Sequence, residues 1–409
     1  MKTKRVIVVG GGASGLVAAI QAARGGAEVT VIEQKEKLGK KILSTGNGRC
    51  NLTNEYMNLE CFRGDDTSVV SKVLGQFGYE DTLSFFEELG VILKNRQGYI
   101  YPISDQASTI LDVLYYEIKR LNVCVVLEEN VENIRKESNE FLVSTNKNSY
   151  ICDAVILATG GKAAPVLGSN GSGYGLAKSF GHTVSTVVPA LVQLVGKGNY
   201  FKHVSGVRTN ATVKLFVAEE CVASDTGELQ LTNYGISGIP VFQVSRYAAK
   251  ALHDKKTVIA DIDFIPTMSE EELKKFIFDR KKQHGERLAE EFFVGMLHSK
   301  LATMLLKEAY VPAHISANEI REDKWEKLSE LIKHFQVEII DTNSFEQAQV
   351  CAGGVLTSEI NSDTMESVYE KNLYLTGELL DVDGICGGYN LQWAWATGYI
   401  AGKNAARGR

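Results

Sequence analysis

The chain lacks the features that would mark a secreted, membrane-bound or nucleic-acid-binding protein. Its seven cysteines, at 50, 61, 124, 152, 221, 351 and 386, form no C-x-x-C pair and no zinc-ligand spacing, so neither a disulfide scaffold nor a metal site is expected. No uninterrupted apolar run approaches the length of a membrane span, and the chain enters a strand directly after Met1-Lys-Thr-Lys-Arg5, which leaves no room for a leader peptide. Positive charge is not in excess: 44 Lys and Arg stand against 50 Asp and Glu, which gives no general attraction to nucleic acid or anionic lipid. These absences predict a cytoplasmic protein that acts on a small molecule, with neither nucleic acid nor membrane as partner, and they say nothing about oligomeric state.

At 409 residues the chain exceeds what one simple core accommodates, so two or three domains are expected. It opens on an apolar strand, Val6 to Val9, that breaks into Gly10-Gly11-Gly12-Ala13-Ser14-Gly15 and then a helical run from Leu16 to Arg24. This order aims helix N-terminal amides at a pyrophosphate. Gly10 would permit the tight turn, Gly12 the close approach of backbone to phosphate, and Gly15 the contact of helix with strand. A second strand, Glu28 to Glu33, ends in a carboxylate 18 residues beyond Gly15, where an acid accepts ribose hydroxyls and Gln34 adjoins it. The dinucleotide can be NAD or FAD on this motif alone, because both present the same adenosine and pyrophosphate.

The rest of the chain points to FAD. The segment from Leu38 to Asn54 holds Gly39, Gly46 and Gly48 beside Lys40, Lys41, Arg49 and Asn51, a composition suited to a loop lying flat against diphosphate, ribityl or substrate oxygens. Cys50 has no near partner, since Cys61 is 11 residues away, which argues against a flavin-to-dithiol relay. Ala158, Thr159 and Gly160 end a buried strand in a small-residue turn, and the strand-like stretch from Val123 to Leu127 with Val131 would bring backbone to the adenine. Near the other end, Gly377-Glu378 and the turn through Gly387 and Gly388 lead into Tyr389-Asn390-Leu391 and a helix with small residues. Glu378 would accept ribityl hydroxyls, and the helix start would stabilise negative charge on the reduced flavin.

No second complete strand, G-x-G-x-x-G and acid appears between residues 160 and 370, so NADH or NADPH, if used as the donor, must dock transiently. Alternating runs such as Ala211 to Val217 predict a small β domain, with a turn at Asp225-Thr-Gly227-Glu228. From 269 to 335 the pattern is helical, opened by Ser269 and Glu272 as a capping box. The 13 acids and 12 Lys or Arg of that stretch read as solvated helix faces. The domains expected are therefore 1–190 with 351–409 for the cofactor, 191–265 with 336–350 for the β insert, and 266–335 for the helices.

The residues Gly39-Lys-Lys41, Gly48-Arg-Cys-Asn51, Tyr234-Gly-Ile-Ser-Gly238, Ala352-Gly-Gly-Val355, Thr364-Met-Glu366 and Gly377 through Gln392 resemble a bacterial flavoprotein family. It is known variously as NAD(FAD)-utilizing dehydrogenases, aminoacetone oxidase-like FAD-binding enzymes and bile-acid dehydrosteroid reductases. The resemblance covers most of the chain. It implies an α/β fold with a split, glutathione-reductase-like Rossmann FAD domain, an inserted small β-barrel and a helical domain, and an FAD-dependent oxidoreductase. One departure stands out: where the family carries Thr-His-Tyr-Gly-Ile-Ser-Gly-Pro, this chain has Asn233 before Tyr234 and Ile239 before Pro240, so a histidine proton transfer there is lost.

The chemistry expected is hydride transfer at flavin N5 to or from a small organic molecule. Arg49, Asn51 and Tyr234 are the catalytic candidates, with Asn47 and His203 beside them and Cys386 as an inert thiol near the ring. Arg49 suits a carboxylate or a carbonyl oxygen gaining charge. Two rivals stand beside a reductase: an oxidase of a small amine or amino-ketone releasing peroxide, and an RNA-binding or RNA-modifying flavoprotein.

Overall fold

The computed structural model describes residues 3–407. The chain divides into two compact units, Met1–Val187 with Gln349–Arg409 and Val188–Ala348.

The first unit is built on a five-stranded parallel sheet ordered Leu373–Leu375, Ala154–Leu157, Arg5–Val9 (β1), Glu28–Ile32 (β2), Cys124–Val126. The β-branched residues of β1 pair with Ala154–Leu157 on one side and with β2 on the other. Such strands read as continuous apolar runs because helices cover both faces: Ala154–Leu157 is buried at every position. The helix Ala13–Arg24 (α1) follows β1 directly, and the C-terminal helix Tyr389–Ala405 lies against it.

That contact needs small residues. A Cβ at Gly398 would come within 2.3 Å of the Ser14 carbonyl oxygen, and one at Gly402 within 2.2 Å of the Ala18 carbonyl oxygen. The two ends of the chain therefore pack backbone to backbone, as the paired glycine turns predict. The order of strands reverses between β1 and Ala154–Leu157, so their carboxyl ends form the switch point at which ligands bind in open α/β sheets.

The second unit closes six strands into a barrel, in the order Leu194–Gly196, Gly235–Gly238, Glu220–Leu231, Arg208–Val217, Val258–Asp263 and Phe335–Thr342. The sequence places a turn at Asp225–Glu228, but these residues lie inside the long strand Glu220–Leu231, with Asp225 opposite Val213 and Gly227 opposite Ala211. Gly227 serves packing: a Cβ there would lie 3.3 Å from Pro240 Cδ. The actual reversal is at Ala218 and Glu219, both with positive φ (49° and 72°), the backbone a tight hairpin demands.

The helices between Asp263 and Phe335 share the barrel's hydrophobic core through Phe292, Phe293, Trp325 and Leu328, so they form one unit with it. Their entry is the capping box read from sequence: Ser269 Oγ accepts from Glu272 N at 3.2 Å and Glu272 Oε2 accepts from Ser269 N at 2.7 Å. Lys333, buried, donates hydrogen bonds to Asp263 Oδ2 at 2.6 Å and to the carbonyls of Ile265 and Met268.

Candidate cofactor and substrate site

The three fingerprint glycines do three different things. Gly10 has φ +102°, and a Cβ on it would sit 2.5 Å from the Ala158 carbonyl oxygen; one on Gly15 would sit 2.0 Å from the Gly10 carbonyl oxygen. Both hold turn and helix against the sheet. Gly12 is unlike them, because nothing lies within 4 Å of where its Cβ would be. Gly12 is also the N-cap of α1, with no side-chain cap and no acidic residue in the first turn. An uncapped helix start facing open space is a ready anion site, and it fits a pyrophosphate.

Glu33 closes the β2 side. Its Oε2 accepts from Gly11 N and its Oε1 from Lys35 N, both at 2.8 Å. Burial raises its pKa against the pull of these amides. Each carboxylate oxygen keeps a second lone pair for a ribose hydroxyl. Gln34 Nε2 donates to Gly168 O at 2.6 Å and its Oε1 accepts from Asn170. Val131 is buried opposite Thr145. Ala158 is buried against Gly10, Thr159 packs on Gly173, and Gly160 has φ +71° with Ser169 Oγ at its back.

The C-terminal turn meets the first. Gly377, at φ +66°, would place a Cβ 2.8 Å from Ser14 Oγ, and Thr376 Oγ1 lies 3.2 Å from the same hydroxyl. Gly377 N donates to Thr397 Oγ1, and Trp393 Nε1 donates to Gly377 O. Ser14 thus joins the two clamps, while Ala13 is the first residue of α1.

Glu378 has two protein partners: Oε2 takes the Lys41 ammonium at 2.7 Å and Oε1 accepts from Cys351 N at 2.9 Å. Lys41 reaches back to Ala163 O, whereas Lys40 pairs with Glu36 at 3.0 Å. The Lys41–Glu378 pair spans 337 positions of sequence, and no local pattern announces it. Gly388 has φ +95°, and a Cβ there would lie 2.8 Å from Thr53 backbone. It starts the C-terminal helix with no side-chain cap. Tyr389 donates to Tyr56 O, and Asn390 bonds both N and O of Gly384 at 2.8 Å. These side chains hold the turn at the start of the C-terminal helix, where Leu391 is half-buried.

Between the clamps runs the loop that the sequence singles out. Gly46, Asn47, Gly48 and Cys50 all have positive φ, at 55°, 54°, 83° and 58°. Two non-glycine residues in that region within four positions mark a tightly held loop. It hangs from the C-terminal helix, since Trp395 Nε1 donates to Leu52 O and Gln392 Oε1 accepts from Thr53 and Thr82. Cys50 is fully buried, its thiol pushed up to about 12 by desolvation. Arg49 is exposed, and Asn51 is buried with an Oδ1 that meets no donor.

Two polar groups escaped the sequence reading. Tyr101, half-buried on Tyr99–Pro102, packs beside Gly46; the alternation Tyr99-Ile100-Tyr101 carried the signal. The Tyr174 hydroxyl is buried with no partner, and desolvation, with Cys351, Glu378 and Asp381 nearby, raises its pKa. Tyr234 belongs to the barrel unit, where its Oη accepts from Asn343 Nδ2 at 3.1 Å, and His203 is exposed there. Cys386 is half-buried in the turn. Among the described residues no group of three metal-ligating side chains occurs, and no helix is long and apolar enough to cross a membrane.

The sequence is 50% identical over 404 residues to the 3-dehydro-bile acid delta(4,6)-reductase of Clostridium scindens, covering 98% of this chain and 99% of that one. It is 30% identical over 410 residues to the ribosomal RNA dihydrouridine synthase of Haemophilus influenzae, covering 98% of each. Among solved structures, the open conformation of a flavocytochrome c3 fumarate reductase superposes with a TM-score of 0.51 at 18% identity, covering 99% of this chain and 78% of that one, a likeness of fold. The family described as HI0933-like protein Rossmann domain matches residues 4–404, and the chain belongs to that family.

Proposed function

We propose that this protein is an FAD-dependent oxidoreductase that saturates a carbon–carbon double bond conjugated to a carbonyl group in a small organic molecule. The observation that carries the reading is the open, uncapped cradle at Gly12 locked to a second uncapped helix start at Gly388 through Ser14, Thr376 and Gly377. Two such anchors suit a long dinucleotide with a redox ring at its far end. The first helix would hold the pyrophosphate, Glu33 the adenosine ribose, and the C-terminal helix start the electron-rich edge of the ring. Once bound and reduced, the FAD would supply a hydride.

The substrate class comes from the relatives. A 3-oxo steroid with Δ4,6 unsaturation is a conjugated dienone, and dihydrouridine is uridine with its carbonyl-conjugated double bond saturated, so both names describe the same addition. Arg49, exposed and in no ion pair among the described residues, suits the carbonyl oxygen, which gains negative charge as hydride arrives at the β-carbon. Hydride from the cofactor and a proton from solvent complete the saturation.

A ribosomal RNA substrate is the second reading, favoured by the Haemophilus relative. The net charge of −6 weighs against it, as RNA binding draws on Lys and Arg in excess. The decisive experiment mixes FAD-loaded protein anaerobically with NADH or NADPH and then with a 3-oxo-4,6-diene bile acid or a uridine-containing rRNA fragment. Bleaching by a nicotinamide and recolouring by the dienone is the expected result. Recolouring by RNA alone selects the second reading, and bleaching by an added amine, with peroxide released once oxygen is admitted, makes the protein an oxidase instead.

A further inference from the structure

The reaction leaves open what meets the carbonyl oxygen besides Arg49. Strand Tyr99–Pro102 carries two phenols, Tyr99 and Tyr101, on one face, and the Tyr99 ring borders the Gly387 turn at the start of the C-terminal helix, 3.2 Å from where a Gly387 Cβ would lie. Tyr101 is the next residue along that face. Its ring edge is 3.6 Å from the Cβ position of Gly46, whose other neighbour is Asn51 N at 3.0 Å. The loop that carries Arg49 and Asn51 thus passes beside the Tyr101 ring.

Of the three, Asn51 lacks a partner where burial demands one. Among the described residues Arg49 makes no ion pair and the Tyr101 hydroxyl no hydrogen bond, and Asn51 Oδ1 is buried without a donor, its residue 9% exposed. Buried polar atoms are nearly always satisfied, so the orphaned amide marks a place that a ligand completes. The charges facing Tyr101 are Arg49, Arg96, whose guanidinium carbon lies 5.7 Å from the ring centre, and Asp105. Asp105 is already bonded through Oδ2 to Lys94 and Arg96. Desolvation, the largest influence, and Tyr99 keep the phenol protonated against the two arginines.

Resting on the function proposed above, we infer that the Tyr101 hydroxyl and the Arg49 guanidinium form a two-donor site for the substrate's carbonyl oxygen, with Asn51 offering the acceptor for a neighbouring ligand donor. Hydride adds to the β-carbon, the double-bond pair shifts to make the enolate, and the oxygen takes the charge between the two donors. Water then protonates the α-carbon, and Tyr101 stays protonated throughout. Reduced FAD is the two-electron donor, so one hydride and one proton account for the two hydrogens gained.

The probe is 4-nitrophenol, whose phenolate mimics the enolate and whose own colour reports ionisation, titrated into FAD-loaded protein. Wild type is expected to bind the phenolate in preference to the phenol. Tyr101→Phe should lose about tenfold in phenolate affinity and about a hundredfold in kcat on the dienone, and Arg49→Met more, with FAD content unchanged. Tyr99→Phe removes a phenol from the same face and should change neither. Wild-type affinity in Tyr101→Phe, or equal losses in both phenylalanine variants, overturns the oxygen site while leaving the reductase reading intact. Protein that takes up no FAD overturns the reading beneath it.

Discussion

At Gly12 the direction a side chain would take is open space, whereas at Gly15 it runs into the Gly10 carbonyl 2.0 Å away. The same fingerprint therefore contains one glycine that opens on space, which we propose serves the ligand, and one that packs against the fold, and mutation separates them. Gly12→Val should change apoprotein stability by about 1 kcal/mol or less yet abolish FAD retention after gel filtration. Gly15→Ala should cost about 1–3 kcal/mol or more, read by thermal melting of the apoprotein, because backbone must move. Equal loss of stability in both would remove the phosphate role of Gly12. The packing role of Gly15 was legible because its neighbour, Gly10, lies five positions away in the same strand–turn–helix. The partners of Glu378 were not: Lys41 and Cys351 N reach it through the folded sheet, and a carboxylate after a glycine reads as an open acceptor until those distances exist. Tyr101 was missed for the same reason, since only folding sets its strand against the Gly46 loop.

Elements were legible where termini carry their own chemistry. The helix Glu270–His284 begins where Ser269 and Glu272 exchange hydrogen bonds, and those two residues suffice to mark it. Ser269→Ala should lower stability by about 1 kcal/mol and Ser269→Asp should restore most of it, measured by urea unfolding; an unchanged midpoint in the alanine variant would show that the cap contributes nothing. The turn at Asp225–Glu228 failed by contrast, because Asp, Thr and Gly signal a reversal only when the chain has no long-range partner. Here Arg208–Val217 supplies a ladder of partners along the whole strand, and tertiary pairing overrides turn propensity. Not every charge of the helical stretch is a solvated face: Arg280 donates to the carbonyls of Phe292 and Val294, which ties the first helix of that segment to the next.

For the molecule as a whole, two histidines, one in each compact unit, give stability opposite dependences on pH. His182 is buried in the first unit between Glu359 Oε2 at 3.2 Å and Ser367 Oγ at 2.8 Å, joining the stretch after Phe180 to the segment 359–369. Burial lowers its pKa, with Glu359 opposing. The unfolded chain then takes up a proton near pH ~6.5 that the folded unit refuses, so the contribution of His182 is present above that value and is lost as pH falls toward the lower folded pKa. His334, in the second unit, bridges Glu270 at 2.9 Å and Asp261 at 3.0 Å, and these two acids raise its pKa. Its contribution is complete below ~6.5 and is lost as pH rises through the raised folded value. Melting of the apoprotein across this range should therefore show His182→Gln losing the acid-side decline and His334→Gln losing the alkaline-side decline. The two effects are expected in different transitions if the units unfold separately. Trp393 and Trp395 report on the first unit and Trp325 on the second, all three being buried. A His182→Gln curve that runs parallel to wild type below pH ~6.5 would mean that the folded first unit accepts the proton as readily as the unfolded chain, and that Glu359 rather than burial governs the ring.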